Sequence, residues 1–322
     1  MKVSVIIPTF NREYILADAI ESVLSQTYKL FEIIVVNDGS TDNSKDLIDS
    51  YVQNYGVTHL SHGRNRGCSA AYNTGMEAAT GPLIAFLDSD DLWQPSYLAR
   101  QVEFLSRQPE MDASFTDTEI FGDREHISSL IDLMPSFRAL LHDRKAGQES
   151  ILDVNDFYLF LLEEIPVKPS ALVFRRALYS RFGGFDEAWP SGTDWDLVIR
   201  FARSSRFGYI DEPLVTQRRT GDATHQLFRE KDKLFLIDVL KRERSGPRRD
   251  EALSAAINRG LFKQYNNLGY YYLHSGQRRK AAATYLAGFR QTGQPDMALR
   301  AVASCLPAEA TELARNLVAG RR

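Results

Sequence analysis

Apolar positions in the first 90 residues come as short unbroken runs set between stretches of helical period. Val3 to Ile7 is a β-branched run stopped by Pro8 and reads as a buried strand. Ile15, Ala19, Val23 and Leu24 then fall at helical spacing through Gln26. Ile33-Ile34-Val35-Val36 predicts a second buried strand, ending in the polar segment Asn37-Asp38-Gly39-Ser40-Thr41-Asp42. Leu47, Ile48 and Tyr51 mark one face of the next helix, with Asp42 as its N-cap candidate. Val57 to Leu60 reads as a strand, 69–79 as a helix and Leu83 to Leu87 as a fourth strand. Unbroken apolar strands alternating with helices predict a mostly parallel sheet covered on both faces. Ligands in such sheets lie beyond the carboxyl ends of the strands. Pro8-Thr9, Asp38 and Asp88 to Asp90 all stand there.

Beyond Met111 to Phe115 the alternation weakens. Residues 118–165 read as irregular, with a helix near 155–163. Ala171 to Phe174 reads as a strand, and Gly183-Gly184-Phe185-Asp186-Glu187 as a turn. Trp195, Val198, Ile199 and Ala202 share a helix face with Asp194 in its first turn, and Phe207 to Ile210 is a short strand ahead of Pro213. From about residue 226 the pattern is helical throughout. Tyr265, Leu268, Gly269, Tyr272, Gly276, Ala281 and Tyr285 keep the register of one tetratricopeptide-type hairpin. A single such unit reads as a helical extension, since a free-standing array needs at least three. The expected division is 1–225 and 226–322.

Composition adds an asymmetry. The chain has 322 residues and a formal charge of −3, but residues 226–322 hold 18 Lys/Arg against 9 Asp/Glu, and residues 1–225 hold 21 against 33. A basic segment beside an acidic one marks either contact with an anionic surface or attraction between the two segments. No run of about 18 apolar residues predicts a membrane span. The opening residues are too short an apolar run for a secretory signal. Cys68 and Cys305 offer no disulfide framework, which fits a reducing cytoplasm.

Asp88-Ser89-Asp90-Asp91, at the end of a buried strand, is the most informative motif. Clustered carboxylates resist desolvation unless a cation pairs them, and their oxygens suit Mg²⁺ or Mn²⁺ bridging to a diphosphate. The alternative is a polar turn.

Six motifs in order resemble family 2 glycosyltransferases, the inverting group with the GT-A fold: Val3 to Arg12, Val36 to Asp42, Asn65 to Gly75, Phe86 to Asp91, Gly183 to Glu187, and Thr193-Asp194-Trp195-Asp196-Leu197. The likeness covers Val3 to about His225. It implies a Rossmann-like sheet sandwiched by helices and transfer of a sugar from a nucleoside diphosphate donor, with UDP the default. The acceptor would be a hydroxyl of a glycan or lipid-linked molecule, as in surface polysaccharide synthesis. Asp38 would bind the nucleobase, with Pro8, Thr9 and Asn11 shaping its pocket. Asp90 and Asp88 would hold Mn²⁺ or Mg²⁺, Asp88 also facing the ribose. Asp194 would be the base that takes the acceptor's proton.

Each role has a structural alternative. Asp38-Gly39 alone makes a turn, Asp91 is also placed to cap a helix near Trp93, and Asp194 suits a helix N-terminus electrostatically. Asp196 is expected to pair with Arg200. Arg64 and Arg66 could reach phosphates or solvent. His225 could contact metal or phosphate or be incidental, Thr220 standing at the family's usual His position. Thr193 replaces the family's Glu, and Tyr72 stands where many relatives carry Arg.

A dinucleotide-dependent oxidoreductase is disfavoured because Pro8-Thr9-Phe10-Asn11 replaces the Gly-rich turn after the first strand. The lack of a Gly-rich basic loop also disfavours a nucleotidyltransferase. An inactive sugar-nucleotide-binding scaffold acting through the helical tail is the remaining alternative. No nucleic-acid partner is expected. The basic tail is expected to touch the inner face of a membrane or to mediate homo-oligomers.

Overall fold

The computed structural model describes residues 1–122, 125–141, 148–189, 192–219 and 229–305. The chain divides into two compact units, Met1–Leu161 with Ile165–Ala223, and Leu162–Glu164 with Thr224–Arg322.

In the first unit, strands β1 (Val3–Thr9), β2 (Phe31–Asn37), β3 (Thr58–Ser61) and β4 (Leu83–Phe86) pair in parallel, in the order β3-β2-β1-β4. Helices α1 (Leu16–Leu24), α2 (Ser44–Tyr55) and α3 (Cys68–Ala78) connect them. All seven residues of β1 are buried. A central strand covered on both faces has no solvated side, which explains the apolar Val5 to Ile7, while the buried Ser4 hydroxyl donates to Glu32 at 2.5 Å.

Next come β5 (Asp91–Trp93), α4 (Tyr97–Arg107), β6 (Ala113–Gly122), β7 (Glu125–Ile127), α5 (Pro135–Leu140), β8 (Glu149–Ile151) and α6 (Val154–Leu161). Strand β9 (Leu172–Arg175), α7 (Arg176–Phe182), α8 (Thr193–Ala202) and β10 (Phe207–Arg219) complete the unit. Strand β9 enters between β4 and β6, antiparallel to both, and the sheet continues β9-β6-β10-β5. The mostly parallel α/β architecture matches the expected fold class.

Two expectations need correction. The strand expected to stop at Ile210 runs on to Arg219. Pro213 sits where the pairing of β10 with β6 shifts register, between Ile210 and Val215. A bulge tolerates a residue without an N–H, so the proline marks an irregularity and not an end. The extension carries Gln217 to a pairing with Asp91. Residues 118–165 are also more regular than their sequence suggests, because buried Thr116, Asp117 and Thr118 break the apolar run of β6.

In the second unit the described residues form α9 (Arg229–Ser245), α10 (Glu251–His274), α11 (Arg278–Thr292) and α12 (Pro295–Cys305). Asp250 caps α10 by accepting the Leu253 amide at 2.8 Å. A Cβ on Gly269 would lie 2.5 Å from the Tyr285 ring, so this glycine sets how closely α10 and α11 approach. No described helix is long and apolar enough to cross a membrane.

Candidate donor and catalytic site

Strands β1 and β2 end in register, Thr9 beside Asn37, and the Asp38 amide donates to the Thr9 carbonyl at 2.8 Å. Asn11 has φ +52°, a left-handed conformation that Asn tolerates better than most residues. Its Oδ1 accepts the Thr41 amide at 2.8 Å and its own amide donates to Ser40 Oγ at 2.9 Å. Asn11 thus ties the two strand-end loops together. The Asp42 carboxylate accepts the Ser44 amide at 3.1 Å and the Glu13 amide, fastening the same loop to the start of α2. Thr9 Oγ1 is buried without a hydrogen-bond partner. Such an atom costs stability unless a ligand completes it.

Asp38 is buried, and three donors converge on it. His62 Nδ1 lies 2.6 Å and the Arg66 amide 2.9 Å from Oδ1, while the Gly67 amide lies 2.8 Å from Oδ2. His62 Nε2 lies 2.9 Å from Thr74 Oγ1. A histidine that donates through Nδ1 and accepts the threonine hydroxyl satisfies both contacts. The carboxylate therefore organises the loop leading into α3, and Oδ2 keeps capacity for a further donor.

The acidic strand end is crowded. Tyr72 donates to Asp88 Oδ1 at 2.6 Å, and the Asp88 amide donates to Ser170 Oγ at 3.0 Å. Arg12 lies 3.5 Å from Asp90, and Arg218 Nε donates to the Asp90 carbonyl at 2.7 Å. Burial, then the charges of Asp90 and Asp194, push Asp88 up to about 7, against the Tyr72 hydrogen bond and Arg12. Asp91 does not cap a helix. It opens β5, is buried, accepts Ser170 Oγ at 2.6 Å, and is held well above the carboxylate range by burial and by Asp88 and Asp90.

Asp194 stands in the first turn of α8, after Gly192 in the left-handed region. It borders a small recess with Phe86, Pro169, Phe185 and Val198. Asp196 pairs with Arg200 at 2.8 Å, and Arg200 also holds the carbonyls of Phe182 and Gly184 at 2.7 Å each, fixing the turn before α8. That agrees with the structural role expected for Asp196.

Cys68, the first residue of α3, lies within the field of these carboxylates. It keeps exposed surface, yet desolvation followed by the charges of Asp88, Asp90, Asp194 and Asp38 raises its thiol pKa well above the ordinary value. Arg66 pairs with Glu187 at 3.0 Å, both half-exposed, and this pair joins the loop before α3 to the glycine turn. Arg64 is exposed. His225 lies outside the described residues.

Sequence reasoning assigns no role to Arg12, His62, Ser170 or Arg218. Arg12 closes the first of the six motifs, and Arg218 acts through partners far away in the sequence. His62 and Ser170 act through distant partners and carry no local signal.

A divalent ion fits this donor set. Among the described residues no three His, Cys, Asp or Glu side chains form a ready-made metal cluster. Mg²⁺-type sites commonly use one or two carboxylates and take remaining ligands from substrate phosphates and water.

Residues 4–160 match the family model described as glycosyl transferase family 2. Residues 4–160 belong to this family. An uncharacterized glycosyltransferase of Rickettsia typhi is 31% identical over 222 residues, 69% of this chain and 64% of that protein. The chain therefore matches under two thirds of this family member's length. Two solved glycosyltransferase structures share the fold. Staphylococcus aureus TarS 1-349 in complex with UDP-GlcNAc aligns with TM-score 0.65 at 16% identity, over 92% of this chain and 89% of that one. A mannosyltransferase from Pyrobaculum calidifontis in complex with GDP-Man and Mn²⁺ aligns with TM-score 0.56 at 20% identity, over 98% and 85%.

Proposed function

We propose that the chain is an inverting, metal-dependent glycosyltransferase that moves one sugar from a nucleoside diphosphate, UDP by preference, to an acceptor hydroxyl. The observation that carries this reading is that Asp38 and Asp88 to Asp91 follow the carboxyl ends of the parallel strands β2 and β4, while the Ser69–Thr193 contact at 2.8 Å brings the start of α8, with Asp194, against α3. Structural relatives solved with UDP-GlcNAc and with GDP-Man and Mn²⁺ support a nucleotide-sugar donor.

In this reading the nucleobase lies at the ends of β1 and β2. Asp38 Oδ2 accepts the imide N–H of the base, the unpartnered Thr9 hydroxyl gains a partner, and Pro8 forms the floor. Asp90 and Asp88 hold Mn²⁺ or Mg²⁺, which when bound offsets the charge developing on the departing nucleoside diphosphate. Arg12, beside Asp90, lies close enough to add positive charge there. Asp194 takes the acceptor proton from the face opposite the leaving group, as a single in-line displacement requires. The acceptor, a glycan or lipid-linked hydroxyl of surface polysaccharide synthesis, lies against residues 118–190 and the segment before Asp194.

Thermal stabilisation by UDP, GDP and dTDP, each with and without Mn²⁺, tests the reading. A nucleotide at 100 times its dissociation constant adds about 2.7 kcal/mol. Stabilisation that needs Mn²⁺ and disappears in Asp90→Ala supports the donor site. Asp194→Asn should keep that stabilisation and lose transfer. No shift with any nucleotide refutes the donor site, and a shift in a protein that transfers no sugar favours the inactive scaffold.

The charge of +9 over residues 226–322 further supports contact with an anionic cytoplasmic membrane face. Equal sedimentation with neutral and anionic vesicles at low salt refutes it and favours homo-oligomers.

A further inference from the structure

Among the described residues the acidic strand end shows more negative than positive charge, and the donor on Asp88 is neutral. Asp88, Asp90 and Asp91 fall within four residues, and Asp194 adds its field to Asp88. Against them stand Arg12, 3.5 Å from Asp90, and Arg218, whose Nη1 is already paired with Asp18 at 2.6 Å. The group that touches Asp88 is the Tyr72 hydroxyl, at 2.6 Å.

That hydroxyl is fixed from behind. The Tyr72 ring is buried, stacked on Phe185 at 4.9 Å between centroids and tilted against Phe86 at 4.5 Å. Phe185 is pinned by its neighbour in α3, because Asn73 Nδ2 donates to the Phe185 carbonyl at 3.0 Å and Asn73 Oδ1 accepts the Phe185 amide at 2.8 Å. A phenol held this rigidly orients one carboxylate oxygen and leaves the other available to a ligand. It also brings no charge, so it orients Asp88 without neutralising it.

We propose that Tyr72 is a positioning residue that aims Asp88 at the divalent cation and, being neutral, makes donor binding depend on that cation. The inference rests on the glycosyltransferase reading above. A cation in place of Tyr72 would supply internally part of the charge that the ion provides. Groups that orient metal ligands from behind typically govern metal affinity nearly as strongly as the ligands themselves.

The test compares wild type, Tyr72→Phe and Tyr72→Arg by electron paramagnetic resonance titration of free Mn²⁺ and by calorimetric titration of UDP with and without Mn²⁺. Tyr72→Phe keeps the aromatic stack and should weaken Mn²⁺ binding roughly 10–100-fold while leaving metal-free UDP affinity unchanged. Tyr72→Arg should reduce the ratio of UDP affinity with Mn²⁺ to that without it. Should the arginine fail to fold in this buried position, Tyr72→Phe decides alone. Unchanged Mn²⁺ affinity in Tyr72→Phe, with Mn²⁺-dependent UDP binding in the wild type, overturns this inference and leaves the glycosyltransferase reading standing. A wild type indifferent to Mn²⁺ overturns the metal-dependent reading and this inference with it.

Discussion

The side-chain hydroxyls of Ser69 and Thr193 meet at 2.8 Å in a buried contact between the first turns of α3 and α8. Thr193 precedes Asp194, so this contact fixes the proposed base relative to the helix that also bears Tyr72. A carboxylate expected at position 193 from the family pattern would meet a buried hydroxyl here. Thr193→Val leaves Ser69 unsatisfied and should cost about 1–3 kcal/mol. Adding Ser69→Ala should recover most of that loss, because removing both partners is nearly neutral. Denaturant unfolding of the two single variants and the double variant measures the coupling. Additive losses would mean the hydroxyls contribute independently.

Asp88 illustrates a conflict between stability and binding. Its ordinary value is 3.8 and its folded value is raised to about 7 by burial and neighbouring carboxylates. Between these values the folded state holds a proton that the unfolded chain releases, so rising pH destabilises the ligand-free protein. The penalty grows from about pH 4 and is fully present above pH 7. Asp88→Asn cannot ionise and should melt higher than wild type at pH 8, with the advantage shrinking toward pH 4. It should also bind Mn²⁺ and UDP together more weakly. An advantage independent of pH would remove the electrostatic account.

Glu32 gives the opposite sign at the far end of the sheet. Burial alone would raise its pKa, but hydrogen bonds from Lys2, Ser4 and Thr80 outweigh it and lower the value from 4.5 to about 2. The resulting stability is present above pH 4.5 and lost as pH falls toward 2. Acid unfolding followed by circular dichroism should show Glu32→Gln less stable than wild type at pH 6, with the gap closing by pH 2. A constant gap would assign the effect to geometry instead of charge.

The front of the sheet is legible in the sequence because β1, β2 and β4 are covered on both faces and need only apolar residues. The polar strand ends stand out against those runs. What local patterns do not show are contacts made across long separations. Ser170 lies 79 residues from Asp91, and Arg218 lies 128 residues from Asp90. Pro213 misleads for a related reason, since the register shift that accommodates it exists only once β6 lies alongside. Asp91 escapes a local reading because a turn residue and a buried strand residue look alike until Ser170 is in place.

Gly39 makes the most local prediction. Its φ is +74°, and a Cβ there would lie 2.5 to 2.8 Å from backbone atoms of Arg64 and Asn65. Left-handed backbone costs a non-glycine residue roughly 1–2 kcal/mol, and backbone neighbours cannot rotate away as a flexible side chain could. Gly39→Ala should therefore push the 64–65 segment outward and draw the Arg66 and Gly67 amides away from Asp38. Gly63, in the same loop, would carry a Cβ with nothing within 4 Å of it, so Gly63→Ala is the matched control. Calorimetric titration should show Gly39→Ala losing at least roughly tenfold in UDP affinity, a change worth about 1.4 kcal/mol, and Gly63→Ala close to wild type. Equal affinities in the two variants would mean that the loop closing over Gly39 takes no part in holding the nucleotide.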